Sequence, residues 1–204
     1  MLFVFDMDEV LYRYDWRKRM AAMTELTGLE LTELRDRWWN LEGEGSAEAG
    51  AYETGDEYLA AVSDALGVPV AEADFLRARQ SAMTPWAGSL RAVERASGYG
   101  AVSLLTNNGA LIAKHLPALA PELVPLFGAE HLRTSSDYGA RKPDPAVFER
   151  LLEHYEVDAS EVFFADDLPE NVAGAASVGI TAHLFTTSEG LLDAVEAFAA
   201  VPAR

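Results

Sequence analysis

The chain begins with an uninterrupted apolar run, Leu2 to Phe5, of aromatic and β-branched types that stops at an acid, Asp6. Such a run predicts a strand buried on both faces, and therefore central in a parallel sheet. Similar runs stand at Ala101 to Leu105 and at Val162 to Ala165, with shorter ones at His131 to Ser135 and Thr181 to Phe185. Helical spacing fills the intervals. Ser89 to Ser97 is one helix, and Ala110 to about His115 is another, stopped by Pro117; the Pro-rich stretch up to Pro125 reads as loop. Pro145 suits the first turn of a helix reaching Tyr155, Glu170 to Val178 ends on Gly179 as its C-cap, and Leu191 to Ala199 is the last helix.

Between Val10 and Pro85 the pattern is helical and no strand is predicted. Asp15 caps a helix to about Leu26 with Gly28 as its stop, and Thr32 to Leu41 forms a second. The chain turns at Gly43-Glu-Gly45-Ser46, and further helices cover Ala47 to Tyr52, Asp56 to Gly67 and Glu72 to Ala82. Strands alternate with helices again only after Trp86, so the block reads as a helical insertion in an α/β unit. The expected architecture is a Rossmann-like parallel sheet of about five strands with helices on both faces. Residues 1–12 and 86–204 are expected to form its α/β core and residues 13–85 the helical insertion.

Length agrees with that plan: 204 residues suit one α/β domain with an insertion better than two independent domains. The 33 acidic residues against 16 basic ones give a net charge of -17, which repels nucleic acid and anionic membrane surfaces. An anionic substrate remains compatible if local cations neutralise its site. The absence of cysteine excludes disulfides, thiolate catalysis and thiolate-bound zinc. The first apolar run is too short for a signal peptide and no later run approaches a membrane span, so a cytoplasmic protein is expected.

The polar residues that carry chemistry follow the strands. Asp6 and Asp8 end the first, Thr106 and Asn107 the second, Asp166 and Asp167 the fourth, and Lys142 lies in the loop after the short third. In a parallel sheet these ends share one edge, where α/β proteins bind ligands. Clustered carboxylates repel unless protonated or bound to a cation, and an all-oxygen donor set favours Mg²⁺ over zinc. With Lys142 as a fixed positive charge and Thr106 as a hydroxyl donor, the set suits phosphoryl transfer to an aspartate.

At these motifs the sequence resembles the haloacid dehalogenase-like hydrolases. Phe5-Asp6-Met-Asp8-Glu-Val10 resembles the first motif of that family, and Leu105-Thr106-Asn107 the second. Arg141-Lys142-Pro143-Asp144-Pro145 resembles the third, and Phe164-Ala-Asp166-Asp167 with Asn171-Val172 the fourth. The resemblance implies Asp6 as nucleophile and Asp8 as general acid and base. It also implies Thr106, Asn107 and Lys142 at the phosphoryl group, and Mg²⁺ held by Asp6, the Asp8 carbonyl and Asp167, with Asp166 as a direct ligand or one shell out. The implied substrate is a small phosphorylated metabolite, a sugar phosphate first among them. Around Glu53-Thr54-Gly55-Asp56-Glu57-Tyr58 the insertion resembles that of the epoxide-hydrolase N-terminal phosphatase domain and of bacterial sugar-phosphate phosphatases. Glu9 departs from the pattern, since many members carry glycine there.

Other readings compete. A 2-haloacid dehalogenase uses the same fold but characteristically lacks the second aspartate of the first motif, so Asp8 argues for a phosphatase. A phosphomutase uses the same machinery and is not separated by the motifs. A non-enzymatic phosphoacceptor domain also groups acids, a hydroxyl and a lysine, but places its phosphorylated aspartate after a later strand. Trp38-Trp39 fit an amphipathic core better than a pocket wall. His115, His131, His154 and His183 lie outside the motifs. Arg141 either assists Lys142 or faces solvent, and Gly43-Glu-Gly45 with Gly50 matches no nucleotide-binding fingerprint. Trp39 and Glu44 are candidates for contact with substrate. Oligomeric state is not legible.

Overall fold

A computed structural model describes residues 1–40 and 42–201. The first strand, β1 (Leu2–Phe5), leads into a short β2 (Tyr12–Tyr14), and the inserted helices follow: α1 (Trp16–Thr27), α2 (Leu31–Leu34), α3 (Glu42–Glu48), α4 (Gly55–Leu66) and α5 (Glu72–Ser81). The chain returns through β3 (Met83–Pro85) and α6 (Ala87–Ser97) to β4 (Ala101–Thr106), α7 (Ala110–Leu119), α8 (Val124–Phe127) and β5 (Leu132–Thr134). It then completes α9 (Pro145–Tyr155), β6 (Val162–Asp166), α10 (Pro169–Ser177), β7 (Thr181–Leu184) and α11 (Ser188–Ala199).

The main sheet has five strands in the order β5-β4-β1-β6-β7, and every pairing is parallel. The apolar run of β1 puts it in the middle because its alternating side chains serve two cores. Phe3 and Phe5 enter the larger cluster, beside Phe163 and Leu104. Leu2 and Val4 enter the smaller one, beneath Phe148, Leu151 and Phe164. A polar residue on either face of β1 would lack a partner, so the run stops only where the sheet ends and chemistry begins.

The helix ends follow local rules. Asp15 caps α1 through its side chain, and Gly28 ends it at φ 69°, a left-handed backbone that glycine adopts without Cβ strain. The predicted end of the second helix, Leu41, lies outside the described residues. Before it the chain forms α2 as a single α-helical turn and then widens into a π-helical turn over Arg35–Trp39.

Four expectations are corrected. The stretch from Val10 to Pro85 does contain strand, because β2 pairs antiparallel with β3. Each strand is three residues long and its partner lies across the whole insertion, so no local period marks either. Gly43 and Gly45 sit inside α3 rather than in a turn. A Cβ at Gly43 would press on the Trp38 ring at 2.9 Å, so that glycine serves close packing, while one at Gly45 would meet only the tip of the half-exposed Arg141 side chain at 2.7 Å. In consequence the helix predicted over Ala47 to Tyr52 already ends at Glu48. Lastly, α7 runs through Pro117 to Leu119, and α8 occupies part of the predicted loop. Burial of Leu116 and Leu119 outweighs the lost backbone bond. Among the described residues no helix is long and apolar enough to cross a membrane.

Candidate active site

The site is built where β1 runs out of sheet. The Asp6 backbone N–H donates to the Ala165 carbonyl at 3.0 Å, and the Met7 carbonyl accepts from both Leu11 and Tyr12 at 2.9 Å. This closes a tight turn in which Glu9 takes φ 60°. The departure from glycine is accommodated by its own side chain, whose Oε1 accepts from the Tyr14 N–H at 2.8 Å.

Asp6 is 7 % exposed, and its Oδ1 lies 2.8 Å from Lys142 Nζ. Lys142, 1 % exposed, also donates to Asp166 Oδ2 at 2.6 Å. The other oxygen of Asp166 accepts from the Leu168 N–H and from Asn171 Nδ2, both at 2.9 Å. Asp166 therefore has both oxygens occupied by protein donors, while Asp167 next to it is only half-buried. Carboxylate oxygens of Asp6, Asp166 and Asp167 all lie within 4.8 Å of one another. One lysine cannot neutralise them all. Burial pushes Asp6 up to about 8, with Lys142 opposing and Asp166 adding to the rise. Burial likewise pushes Asp167 up to about 6, with Asp166 adding to it. Burial disfavours the Lys142 ammonium, but Asp6 and Asp166 together hold its pKa above the usual lysine value.

The third and second motifs meet at Lys142. Asn107 Nδ2 donates to the Lys142 carbonyl at 2.9 Å and its Oδ1 accepts from the Lys142 N–H at 3.0 Å. The Asn107 carboxamide thus fixes the lysine's backbone. Thr106 is buried at the end of β4, with its Oγ1 accepting from Asn108 Nδ2 at 2.9 Å. Behind Lys142, Gly174 of α10 abuts the loop: a Cβ there would overlap the Pro143 carbonyl oxygen and crowd the Phe148 ring at 3.1 Å. Gly174→Ala is expected to cost about 1–3 kcal/mol in stability, the usual range for overpacking, and to lower turnover by displacing Lys142. Urea melts and phosphate-release kinetics check this; unchanged stability would show that α10 can move aside freely.

A cavity of about 680 Å³ opens beside these motifs. Asp8, Asn107, Asn108 and Arg141 line one side, and the inserted helices contribute Trp16, Arg19, Trp39, Glu44, Glu48 and Arg79. The two tryptophans separate. Trp38 is core, whereas Trp39 lines the cavity. Glu44 is held by Trp38 Nε1 and the Tyr58 hydroxyl, each at 2.7 Å, and faces Arg19 at 3.5 Å. Arg141 pairs with Glu48 at 2.9 Å; burial pushes the Glu48 carboxyl up to about 7, with Arg141 opposing. The histidines stay apart from the acids of the strand ends: His115 pairs with Glu72, His131 with Tyr155, His154 packs on Tyr138 and His183 stacks on Phe163.

Comparison with known proteins shows the family. A family model described as haloacid dehalogenase-like hydrolase matches residues 1–179. The chain belongs to that family. This hydrolase is 29 % identical over 197 residues to a Mycobacterium tuberculosis protein named Phosphatase MT3486, covering 94 % of this chain and 90 % of that one. Among solved structures it resembles a family enzyme of Bacteroides thetaiotaomicron in complex with magnesium and inorganic phosphate, with a TM-score of 0.70 at 19 % identity over 90 % of this chain and 92 % of the other. A 2-haloacid dehalogenase from Pseudomonas syringae also shares the fold, with a TM-score of 0.65 at 20 % identity over 90 % and 85 % of the two chains.

The strand-end motifs of the hydrolase were readable in sequence, but Arg79 was not. Its guanidinium donates to Asp8 Oδ2 at 2.6 Å across 71 residues, and nothing local to either residue signals the pair.

Proposed function

We propose that this hydrolase is a Mg²⁺-dependent phosphomonoesterase for a small phosphorylated metabolite, with a sugar phosphate as the leading class. The observation that carries the reading is the buried Asp6–Lys142–Asp166 bridge with Asp167 at its edge. It presents a nucleophile, a fixed cation and an excess of negative charge in one place. The name of the mycobacterial relative and the ligands of the Bacteroides structure support it.

The donor set fits Mg²⁺. All donors are oxygens, carboxylate oxygens of Asp6, Asp166 and Asp167 lie within 4.8 Å of one another, and burial, with Asp166 adding to it, pushes Asp6 and Asp167 upward, so a cation at this place would favour their charged forms. Asp6, the Asp8 carbonyl and Asp167 would hold the ion, with Asp166 behind them bonded to Lys142, Leu168 and Asn171. Bound there, Mg²⁺ supplies positive charge to the phosphoryl oxygens.

The chain's own residues do the rest. An Asp6 oxygen attacks phosphorus as the ester bond to the leaving alkoxide breaks, and Asp8 gives that alkoxide its proton. Asp8 then takes a proton from water as the water oxygen displaces Asp6 from the phosphoryl group. Lys142 and Thr106 hold the phosphoryl oxygens, and Asn107 keeps Lys142 in place. Residues 13–85 serve as the cap, whose Trp16, Arg19, Trp39 and Glu44 would meet the leaving group.

Release of phosphate from a metabolite panel, with Mg²⁺ and with chelator, tests the reading. Turnover is expected to require Mg²⁺, and less of it as pH rises. In the metal-free fold Asp6 and Asp167 keep protons that the unfolded chain, with a carboxyl value of 3.8, has already released. Folding therefore binds protons, and metal-free stability falls as pH rises from about 4 to about 8. Mg²⁺ must displace those protons. Its half-activating concentration should fall, and the melting-temperature rise it produces should grow, between about pH 6 and about pH 8. A Mg²⁺ response independent of pH, or turnover in chelator, would refute this assignment.

A further inference from the structure

We infer that Arg79, on the last inserted helix, is a positioning residue for Asp8, fixing the orientation in which that carboxyl transfers its proton. The inference rests on the reading of Asp8 as acid and base given above. Three observations carry it. Arg79 is 2 % exposed and reaches Asp8 Oδ2 at 2.6 Å. Its guanidinium lies over the Tyr14 ring, 4.2 Å from the centroid, so the cation is fixed on a second side. Asp8 Oδ1, in contrast, is buried and has no hydrogen-bond partner among the described residues.

An aspartate on a turn can rotate about two side-chain torsions. A charge-assisted bond to one oxygen removes that freedom and leaves Oδ1, held by no donor among the described residues and shielded from bulk solvent, as the oxygen that meets a bound leaving group. The location of the pair gives it a second consequence. Asp8 lies just before β2 and bridges to Tyr12, while Arg79 lies just before β3, the antiparallel partner of β2. These are the two strands by which the chain leaves the core and returns to it. The bond therefore ties Asp8 to α5 across the junction between the α/β core and the insertion. Arg79 also lines the cavity, so a role in binding the leaving group is the reading to be excluded.

The test is steady-state kinetics of the full chain with Mg²⁺ for Arg79→Met, Arg79→Lys, Asp8→Asn and the Arg79→Met/Asp8→Asn double variant. Each is assayed on the best alkyl phosphate of the panel and on an activated aryl phosphate. Arg79→Met is expected to lower kcat on the alkyl ester about 10- to 100-fold with KM within about threefold, and to lower it less on the aryl ester, which needs less protonation to leave. Arg79→Lys should recover part of the loss. In the Asp8→Asn background Arg79→Met should cost nothing further, because residues that act as a unit are not additive. A raised KM at unchanged kcat would make Arg79 a substrate-binding residue and overturn the inference. An equal loss in both backgrounds would make it structural and overturn it too. Full alkyl turnover in Asp8→Asn alone would refute the acid and base reading beneath it, and the inference with it. Should Arg79→Met fail to fold, the same cycle with Arg79→Gln decides, since Gln keeps a polar side chain there but removes the charge that holds Asp8.

Discussion

Asp6→Asn is expected to abolish turnover, by roughly 10⁴-fold or more, while leaving the fold intact. The catalytic part follows from chemistry: an amide oxygen in place of a carboxylate cannot form and release a phosphoryl ester at a useful rate. The structural part is less obvious, because Asp6 is buried and paired. Its carboxylate is nonetheless resisted by its surroundings, since burial and the neighbouring Asp166 push it up to about 8 despite Lys142. A neutral amide removes that resistance, and Lys142 retains Asp166 at 2.6 Å. Without Mg²⁺ the variant should therefore melt no lower than the parent near neutral pH. With Mg²⁺ it should gain less, having lost one anionic ligand. Calorimetry with and without Mg²⁺, beside phosphate release, separates these effects. An Asp6→Asn protein with normal turnover would contradict the mechanism, and one that fails to fold would contradict the account of its charge.

What could be read in advance and what could not divide along a physical line. Asp6, Thr106 and Asp166 were legible because each ends an apolar run, and a buried strand is the one element whose neighbours in sequence reveal where its end will face. The parallel order then brings those ends to one edge, and Lys142 follows from the loop after β5. The β2–β3 pair and the Arg79–Asp8 bond were not legible. Both join segments on opposite sides of the insertion, so the information lies in how helices pack rather than in spacing along the chain. Gly43 and Gly45 misled for a related reason. Glycine signals a turn when backbone freedom is needed and a helix contact when room is needed, and at Gly43 only the position of Trp38 decides which. The same limit applies to the bonds that join the Asn107 carboxamide to the Lys142 backbone across 35 residues, which no local spacing reveals.

Lys142→Met should lose both activity and stability, and the size of the second loss tests how the site is held together. Lys142 is buried between Asp6 at 2.8 Å and Asp166 at 2.6 Å. Removing one partner from a buried ionic cluster leaves uncompensated charge, which typically costs about 3–5 kcal/mol. For a chain of this size that is roughly a 10 °C fall in melting temperature. The sign with pH is fixed. Without Lys142 nothing opposes burial at Asp6, so the acids hold protons to higher pH, and the penalty should be smaller in mild acid than near pH 8. Mg²⁺ should rescue part of the melting temperature by supplying the missing charge, but not the turnover, because Lys142 also holds the phosphoryl oxygens. Adding Asp166→Asn should recover stability by removing one orphaned carboxylate, again with no return of activity. Parental stability in Lys142→Met would mean that the cluster is already neutralised by protons, and the bridge would then be a consequence of the fold rather than a support for it.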